Sequence, residues 1–223
     1  YPKDDNAILE IDLKALSLNF KELKKKLNKN IECAATVKAN AYGIGDKAVV
    51  KSLAKNGCKS FFVAHLSEAI RLREYSKTIK VYCYHGINIK NYNEFLRFNI
   101  VPIANNLQQI LMINSLNKKN SFNKPIAIHF DTGMSRLGLD ANETAWLINN
   151  KNKISSIKIE LIMSHLACAD QPKNSMNEKQ LKKFITIKKE FKKSKASLAN
   201  SAGILLNKKY HFDLVRPGIA LYG

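Results

Sequence analysis

Apolar and polar positions along this chain alternate between two periods, and the alternation is regular enough to predict an architecture. Short, nearly continuous apolar runs predict buried strands at 31–39, 60–64, 80–86, 100–104, 125–131, 157–166, 196–200 and 211–217. Helical spacing fills the gaps between them. In 45–57, Ala48, Val49, Leu53 and Ala54 share a face, and Gly57 suits the helix end. Further helices are expected at 67–76, with Ser67 as N-cap, and at 91–99 and 106–119. Others are expected at 142–151, which opens on an Asn/Glu cap pattern, and along a basic stretch at 175–193. Eight strands interleaved with helices imply a parallel sheet with helices outside. Eight units in about 190 residues favour an α/β fold of the closed (β/α)8 TIM barrel type. A doubly wound sheet would have fewer strands and a glycine-rich first turn.

Residues 1–30 stand apart from the barrel proper at 31–223. AILEIDL (7–13) alternates in the β manner and 14–27 is an amphipathic helix, so a strand and a helix are expected to precede the first barrel strand. A lone strand outside the eight needs a pairing partner, and the pattern supplies none.

Composition changes this picture little. The 223 residues are 45% hydrophobic and 25% charged, which excludes disordered and collagen-like chains and allows one large domain with its own core. Charge is the unusual quantity: Lys plus Arg number 37 against 18 for Asp plus Glu, a net +19. That balance raises nucleic acid or an anionic membrane as partners. Only five of the 37 are arginine, the residue suited to bidentate phosphate and base recognition, and the lysines are scattered along the helices. The charge therefore reads as solvated surface, and neither nucleic acid nor membrane is expected as a partner. A lysine-rich nucleic-acid module is the rival from another class, and its binding would collapse with salt.

Cys33, Cys58, Cys83 and Cys168 are far apart with no C-x-x-C pair, so neither a metal site nor a disulfide framework is expected. They fit small buried hydrophobes in a reducing compartment. The chain has no apolar run near the ~18 residues of a spanning helix, and YPKDDNAILE lacks a signal-peptide pattern. A cytoplasmic protein is the expectation.

In a barrel, chemistry gathers where the strands end. The first strand carries Lys38 inside an apolar run, a costly position unless the amine is neutral, paired or covalently used. Burial lowers a lysine pKa, and a neutral amine is what Schiff-base chemistry requires. The fifth strand leads into DTGMSRLG, with Arg136 in a glycine-punctuated loop and no acid nearer than Asp131 or Asp140. The sixth ends at His165, the seventh at Asn200 and Ser201 before a helical turn suited to an anion, and the eighth at Arg216, Pro217, Gly218 and Ile219. Singly each has a bland explanation. Together, on five strand ends, they form a candidate site.

The segments AATVKANAYGIG, DTGMSRLG, SHLACAD, ANSAG and LVRPGIALYG resemble the signatures of the alanine racemase family, in order and at appropriate spacing, and the likeness runs from EIDLKAL to the final LYG. The resemblance implies a fold-type III pyridoxal 5′-phosphate enzyme, an isomerase that interconverts L- and D-alanine and supplies D-alanine for peptidoglycan. It implies that Lys38 forms the internal aldimine and, once freed, is one of two bases at the substrate Cα, on the face that gives the D-alanine proton. Tyr42, Ser201, Gly218 and Ile219 would hold the phosphate, the last two through backbone N–H groups, with Asn200 in the same loop. Arg216 would face the pyridine nitrogen with His165 supporting it, and Arg136 would lie near the phenolate and the substrate carboxylate. A guanidinium does not release its proton, so the ring nitrogen stays unprotonated and reprotonation at Cα is favoured over transamination.

Two departures from the family pattern stand out. Many members carry a carbamylated lysine before DTGM that orients the arginine; here the residue is His129, so another group, such as a bound anion, must do so. The family also has a C-terminal β-domain that supplies a tyrosine across a homodimer as the second base. This chain stops at LYG, where that domain is expected to begin, so on this reading it is a barrel domain that racemises poorly alone. A single-domain pyridoxal-phosphate homeostasis protein and a broad-specificity amino-acid racemase are the alternatives within the fold.

Overall fold

The computed structural model describes residues 7–120 and 124–223. The first six residues of the leading segment 1–30 lie outside that range. An amphipathic helix, α1 (Leu13–Lys25), comes first; Asp12 caps it by accepting from the N–H groups of Lys14 and Ala15, and Leu16, Phe20 and Leu23 bury its inner face. The strand expected at 7–13 does not form. Residues 7–12 belong to no strand, and Ile8, Leu9 and Ile11 are exposed. Alternation of apolar side chains cannot by itself make a strand where no neighbouring edge is available to pair with it.

The barrel then follows in βα units. β1 (Glu32–Cys33) and β2 (Ala35–Thr36) are two halves of the first strand, joined through Ala34. A short turn α2 (Lys38–Tyr42) and helix α3 (Asp46–Lys55) lead to β3 (Ser60–Val63), then α4 (Leu66–Tyr75) and β4 (Lys80–Cys83). α5 (Tyr92–Arg97), β5 (Val101–Ala104), α6 (Leu107–Asn120) and β6 (Pro125–His129) follow, then α7 (Ala141–Asn149) and β7 (Lys158–Met163). The chain continues through α8 (Ser175–Glu190), β8 (Lys195–Ser197), α9 (Ser201–Leu206), β9 (Leu214–Val215) and α10 (Ile219–Tyr222).

Strands β2 to β8 pair in sequence order, all parallel. Closure comes from β9. It pairs with β1 in the register Glu32↔Leu214 and Cys33↔Val215, while Asp213 N–H and Arg216 N–H donate to the carbonyls of Ala196 and Ala199 on the other side. Each expected strand thus appears once in an eight-stranded parallel barrel. Two apolar layers hold it together. Ala34, Phe62, Tyr82, Ile103, Ala127, Leu161, Met163 and Leu214 fill the interior, and the larger cluster packs the alternate strand positions against the helices. Phe62 stacks on Tyr82 with centroids 4.5 Å apart.

The expected strands run too long at their C-terminal ends: β6 stops at His129, β7 at Met163 and β8 at Ser197. Their last residues turn into loops over the barrel mouth. Two caps also differ. α4 begins at Leu66, with Glu68 gathering the N–H groups of Ala64 and His65, so Ser67 is not its cap. α7 is capped by Asp140, whose carboxylate accepts from Glu143 N–H. Among the described residues, no helix is long and apolar enough to cross a membrane.

Candidate active site

The strand ends surround one cavity of about 600 Å³, lined by Lys38, Tyr42, Arg136, His165, Asn200, Ser201, Arg216, Gly218 and Ile219. These are all the residues to which the resemblance gives a role at the site; Pro217, at the end of the eighth strand, is not among the lining residues. The cavity also takes Thr36, Tyr84, His85 and His129. Tyr84 and His85 were legible by the same rule, as polar residues at the end of an apolar strand.

Lys38 lies just beyond the first strand, half-buried, rather than inside it as expected. Val37 N–H makes the last ladder bond, to Phe62 C=O. The next four residues are unusual: Ala39, Asn40, Ala41 and Tyr42 all have φ between 52° and 56°. Each non-glycine residue in a left-handed turn costs about 1–2 kcal/mol, so the surroundings must hold this one in place. Ala39 N–H donates to Glu68 Oε1 at 2.6 Å, and Asp46 N–H donates to Asn40 Oδ1 at 3.0 Å. Gly43 and Gly45, both at positive φ, return the chain to α3.

Arg216 is buried at the end of β9. Nη2 donates to Ser164 C=O at 2.6 Å, Nη1 donates to Ser197 Oγ, and the guanidinium lies 6.0 Å from the Phe62 ring centre. Its Nε has no hydrogen-bond partner among the described residues. Burial lowers the Arg216 pKa, though a guanidinium keeps its proton at any accessible pH. Among the described residues His165, expected to support this arginine, shares no hydrogen bond with it. Its Nε2 accepts instead from Asn200 Nδ2 at 3.3 Å. The Asn200 amide is oriented by Gly203 N–H, which donates to Oδ1 at 2.9 Å, so the His165 proton is fixed on Nδ1. Burial, then the charges of Arg216 and Arg136, push the His165 pKa well below its usual value.

Ser201 Oγ accepts from Gly218 N–H at 2.9 Å and Ala220 N–H at 3.2 Å, tying the start of α9 to the start of α10. Gly218 N–H, expected to be a phosphate donor, is therefore engaged by the serine. A β-carbon at Gly218 would lie 2.3 Å from the Tyr42 hydroxyl. Tyr42 in turn packs against Tyr222, the rings tilted by 31° with centroids 4.7 Å apart, and Tyr222 hydroxyl donates to Thr36 C=O at 2.9 Å. Burial and the neighbouring Tyr84 raise the Tyr42 pKa.

Arg136 is exposed at the cavity edge. The nearest acids in sequence are committed elsewhere: Asp131 Oδ1 accepts from the N–H groups of Gly133, Met134 and Ser135, and Asp140 caps α7. Among the described residues Arg136 joins no ion pair. His129 is buried and donates from Nδ1 to Asn105 Oδ1 at 3.2 Å, because the Asn105 amide nitrogen is already bonded to the carbonyls of Tyr84 and Ile103. Burial, then Arg216 and Arg136, lowers its pKa to about 3, so it is neutral at working pH.

Comparison with known proteins follows the same outline. Residues 11–223 match the family model described as alanine racemase, N-terminal domain. Alanine racemase of Brucella abortus is 41% identical over 217 residues, which cover 97% of this chain and 54% of that protein. The Rickettsia bellii alanine racemase is 41% identical over 196 residues, 87% of this chain and 48% of its own length. The crystal structure of alanine racemase from Bartonella henselae with covalently bound pyridoxal phosphate superimposes with a TM-score of 0.91 at 38% identity, covering 96% of this chain and 62% of that one. The biosynthetic alanine racemase of Pseudomonas aeruginosa gives 0.85 at 30% identity, over 96% and 58%. This chain spans about half the length of the curated relatives it matches.

Proposed function

The chain belongs to the alanine racemase family, and from that premise we propose that its cavity holds pyridoxal 5′-phosphate on Lys38 and that the whole protein interconverts L- and D-alanine. The observation that carries this reading is the buried, unpartnered Nε of Arg216 in the cavity that Lys38 lines. A buried donor without a partner is rare and unfavourable, and an acceptor in the cavity would relieve it. The pyridine nitrogen of the cofactor is such an acceptor. The glycine at 218, against which Tyr42 closes, fits the close approach of backbone to a phosphate.

When bound, the cofactor supplies an electron-withdrawing ring that makes the substrate Cα proton acidic. The rest falls to the protein. Lys38 anchors the cofactor and then carries a proton to or from one face of Cα. Arg216 keeps its proton, so an acceptor opposite Nε stays unprotonated, and the proton lost from Cα returns to Cα. Ser201, Tyr42 and Ile219 would hold the phosphate at the adjoining starts of α9 and α10, Gly218 leaving room for it with its own N–H taken by Ser201, and Asn200 fixing the loop and the His165 tautomer. Arg136, unpaired among the described residues, receives the substrate carboxylate.

Lys38 serves a single face, and inversion needs a base on the other. The tyrosines lining the cavity are poorly suited to be that base, since the Tyr42 pKa is raised and Tyr84 faces Thr36, with 3.5 Å between hydroxyls. We therefore propose that these 223 residues alone bind the cofactor but racemise poorly. We further propose that the whole protein is a cytoplasmic homodimer supplying D-alanine for peptidoglycan.

Reconstitution tests this reading. Purified chain mixed with pyridoxal phosphate and dialysed should keep a visible absorbance band, and Lys38→Ala should not. A colourless wild type, or an equally coloured Lys38→Ala, contradicts the reading.

A further inference from the structure

Glu68 lies outside the cavity, yet its carboxylate gathers three main-chain N–H groups: Ala39 on Oε1 at 2.6 Å, and Ala64 and His65 on Oε2 at 2.8 and 2.9 Å. Ala39 directly follows Lys38 and is the first residue of the left-handed turn. Ala64 and His65 link the end of β3 to α4. One buried side chain thus fastens the lysine-bearing turn to the neighbouring strand end.

The far end of the segment is fastened from the same helix. Arg71, three residues beyond Glu68 and so on the same face of α4, pairs with Asp46 through Nε at 2.8 Å and Nη2 at 2.6 Å. Asp46 opens α3, and its N–H is held by Asn40. Two adjacent α4 side chains therefore grip the start and finish of 39–46. Capping α4 requires only the bonds to Ala64 and His65. The bond to Ala39 is additional, crosses to another element, and is charge-assisted.

Resting on the site reading above, we infer that Glu68 is a positioning residue: by holding Ala39 N–H it fixes the left-handed turn and so aims the Lys38 amine into the cavity. Tyr42, at the other end of that turn, is held separately by its contact with the Tyr222 ring, so the phosphate position does not depend on Glu68. Losing the Ala39 bond would leave the turn free to relax toward commoner backbone angles and move the amine. A misplacement of about 1 Å can slow a reaction by roughly a hundredfold.

Two probes, applied to the wild type, Glu68→Gln and Glu68→Ala, separate aim from affinity. Pyridoxal phosphate reports the rate at which Lys38 captures an aldehyde, followed by the visible band. Pyridoxine 5′-phosphate, which has no aldehyde, reports occupancy of the ring and phosphate positions alone. Glu68→Gln should capture pyridoxal phosphate at least about tenfold more slowly, with pyridoxine phosphate affinity within about threefold of wild type. Glu68→Ala should capture still more slowly; if it does not fold, Glu68→Gln decides the question, since an amide keeps the size and one acceptor of the carboxylate. Capture at the wild-type rate by a folded variant, with only the melting temperature lowered, overturns the inference and leaves Glu68 a helix cap. Equal loss for both probes also overturns it, because the effect would then lie on the cavity as a whole. Failure of the wild type to capture pyridoxal phosphate would remove the site reading itself, and this inference with it.

Discussion

The hydroxyl of Tyr42 stands where a β-carbon at residue 218 would have to be: the separation would be 2.3 Å. Its ring contact with Tyr222 holds the tyrosine there. Gly218→Ala should therefore displace Tyr42 from the phosphate position. We expect pyridoxal phosphate affinity to fall at least about tenfold, equivalent to about 1.4 kcal/mol, with folding stability changed by less. Fluorescence titration beside thermal unfolding checks this; unchanged affinity would show that Tyr42 yields freely.

Acid should weaken the fold through its neutral histidines. His129 has a folded pKa of about 3 against a usual value of 6.5, so the unfolded chain binds the proton more readily. The stabilising contribution of the neutral form is complete above the unfolded value and is lost as pH falls through the window from 6.5 toward 3. The slope from one such group is at most about 1.4 kcal/mol per pH unit. His165, His85 and His211 are shifted in the same direction by burial and act with the same sign. Melting curves from neutral pH down to about pH 5 should show the decline, and His129→Gln should make it shallower. A flat profile in the wild type would contradict the burial argument.

Asn200 does two jobs with one amide, accepting from Gly203 N–H to cap α9 and donating to His165 Nε2. Asn200→Ala should cost about 1 kcal/mol as a lost cap. It should also release the His165 ring from the Nδ1–H tautomer, a change that nitrogen NMR of the ring reads directly. Retention of a pure Nδ1–H signal in the variant would mean that another group sets the tautomer.

Arg216→Lys keeps the charge but cannot reproduce the fork that reaches both Ser164 C=O and Ser197 Oγ. Loss of one charged hydrogen bond in a buried site should lower stability by about 1.5–3 kcal/mol, measured by urea unfolding. Wild-type stability would mean that the guanidinium geometry does not matter to the fold.

Much of this was legible in the sequence, for identifiable reasons. The eight barrel strands are readable because most of their positions are buried and apolar, as at Phe61, Phe62 and Val63. The cavity residues were readable because a polar side chain at the end of such a run is conspicuous. The strand ends are not, since an apolar run does not record where the ladder stops: the run in 31–39 carries on through Lys38, whereas the strand ends at Thr36. The left-handed turn after Lys38 was hidden as well, because Ala-Asn-Ala-Tyr carries no glycine to announce positive φ. Glu68 looked like an ordinary helix residue, and its bond to Ala39 is a tertiary fact that no spacing along α4 reveals. The segment 7–13 misled in the opposite direction, since its β-like alternation has no partner strand among the described residues.

The central claim is that one lysine, in a chain rich in them, carries the chemistry. Borohydride reduction of the pyridoxal-phosphate complex followed by peptide mapping tests it most directly. The account predicts a single dominant pyridoxyl mark, on Lys38, at cofactor concentrations that leave the surface lysines unmodified. A mark spread over the helical lysines, or one centred on any lysine other than Lys38, would contradict it.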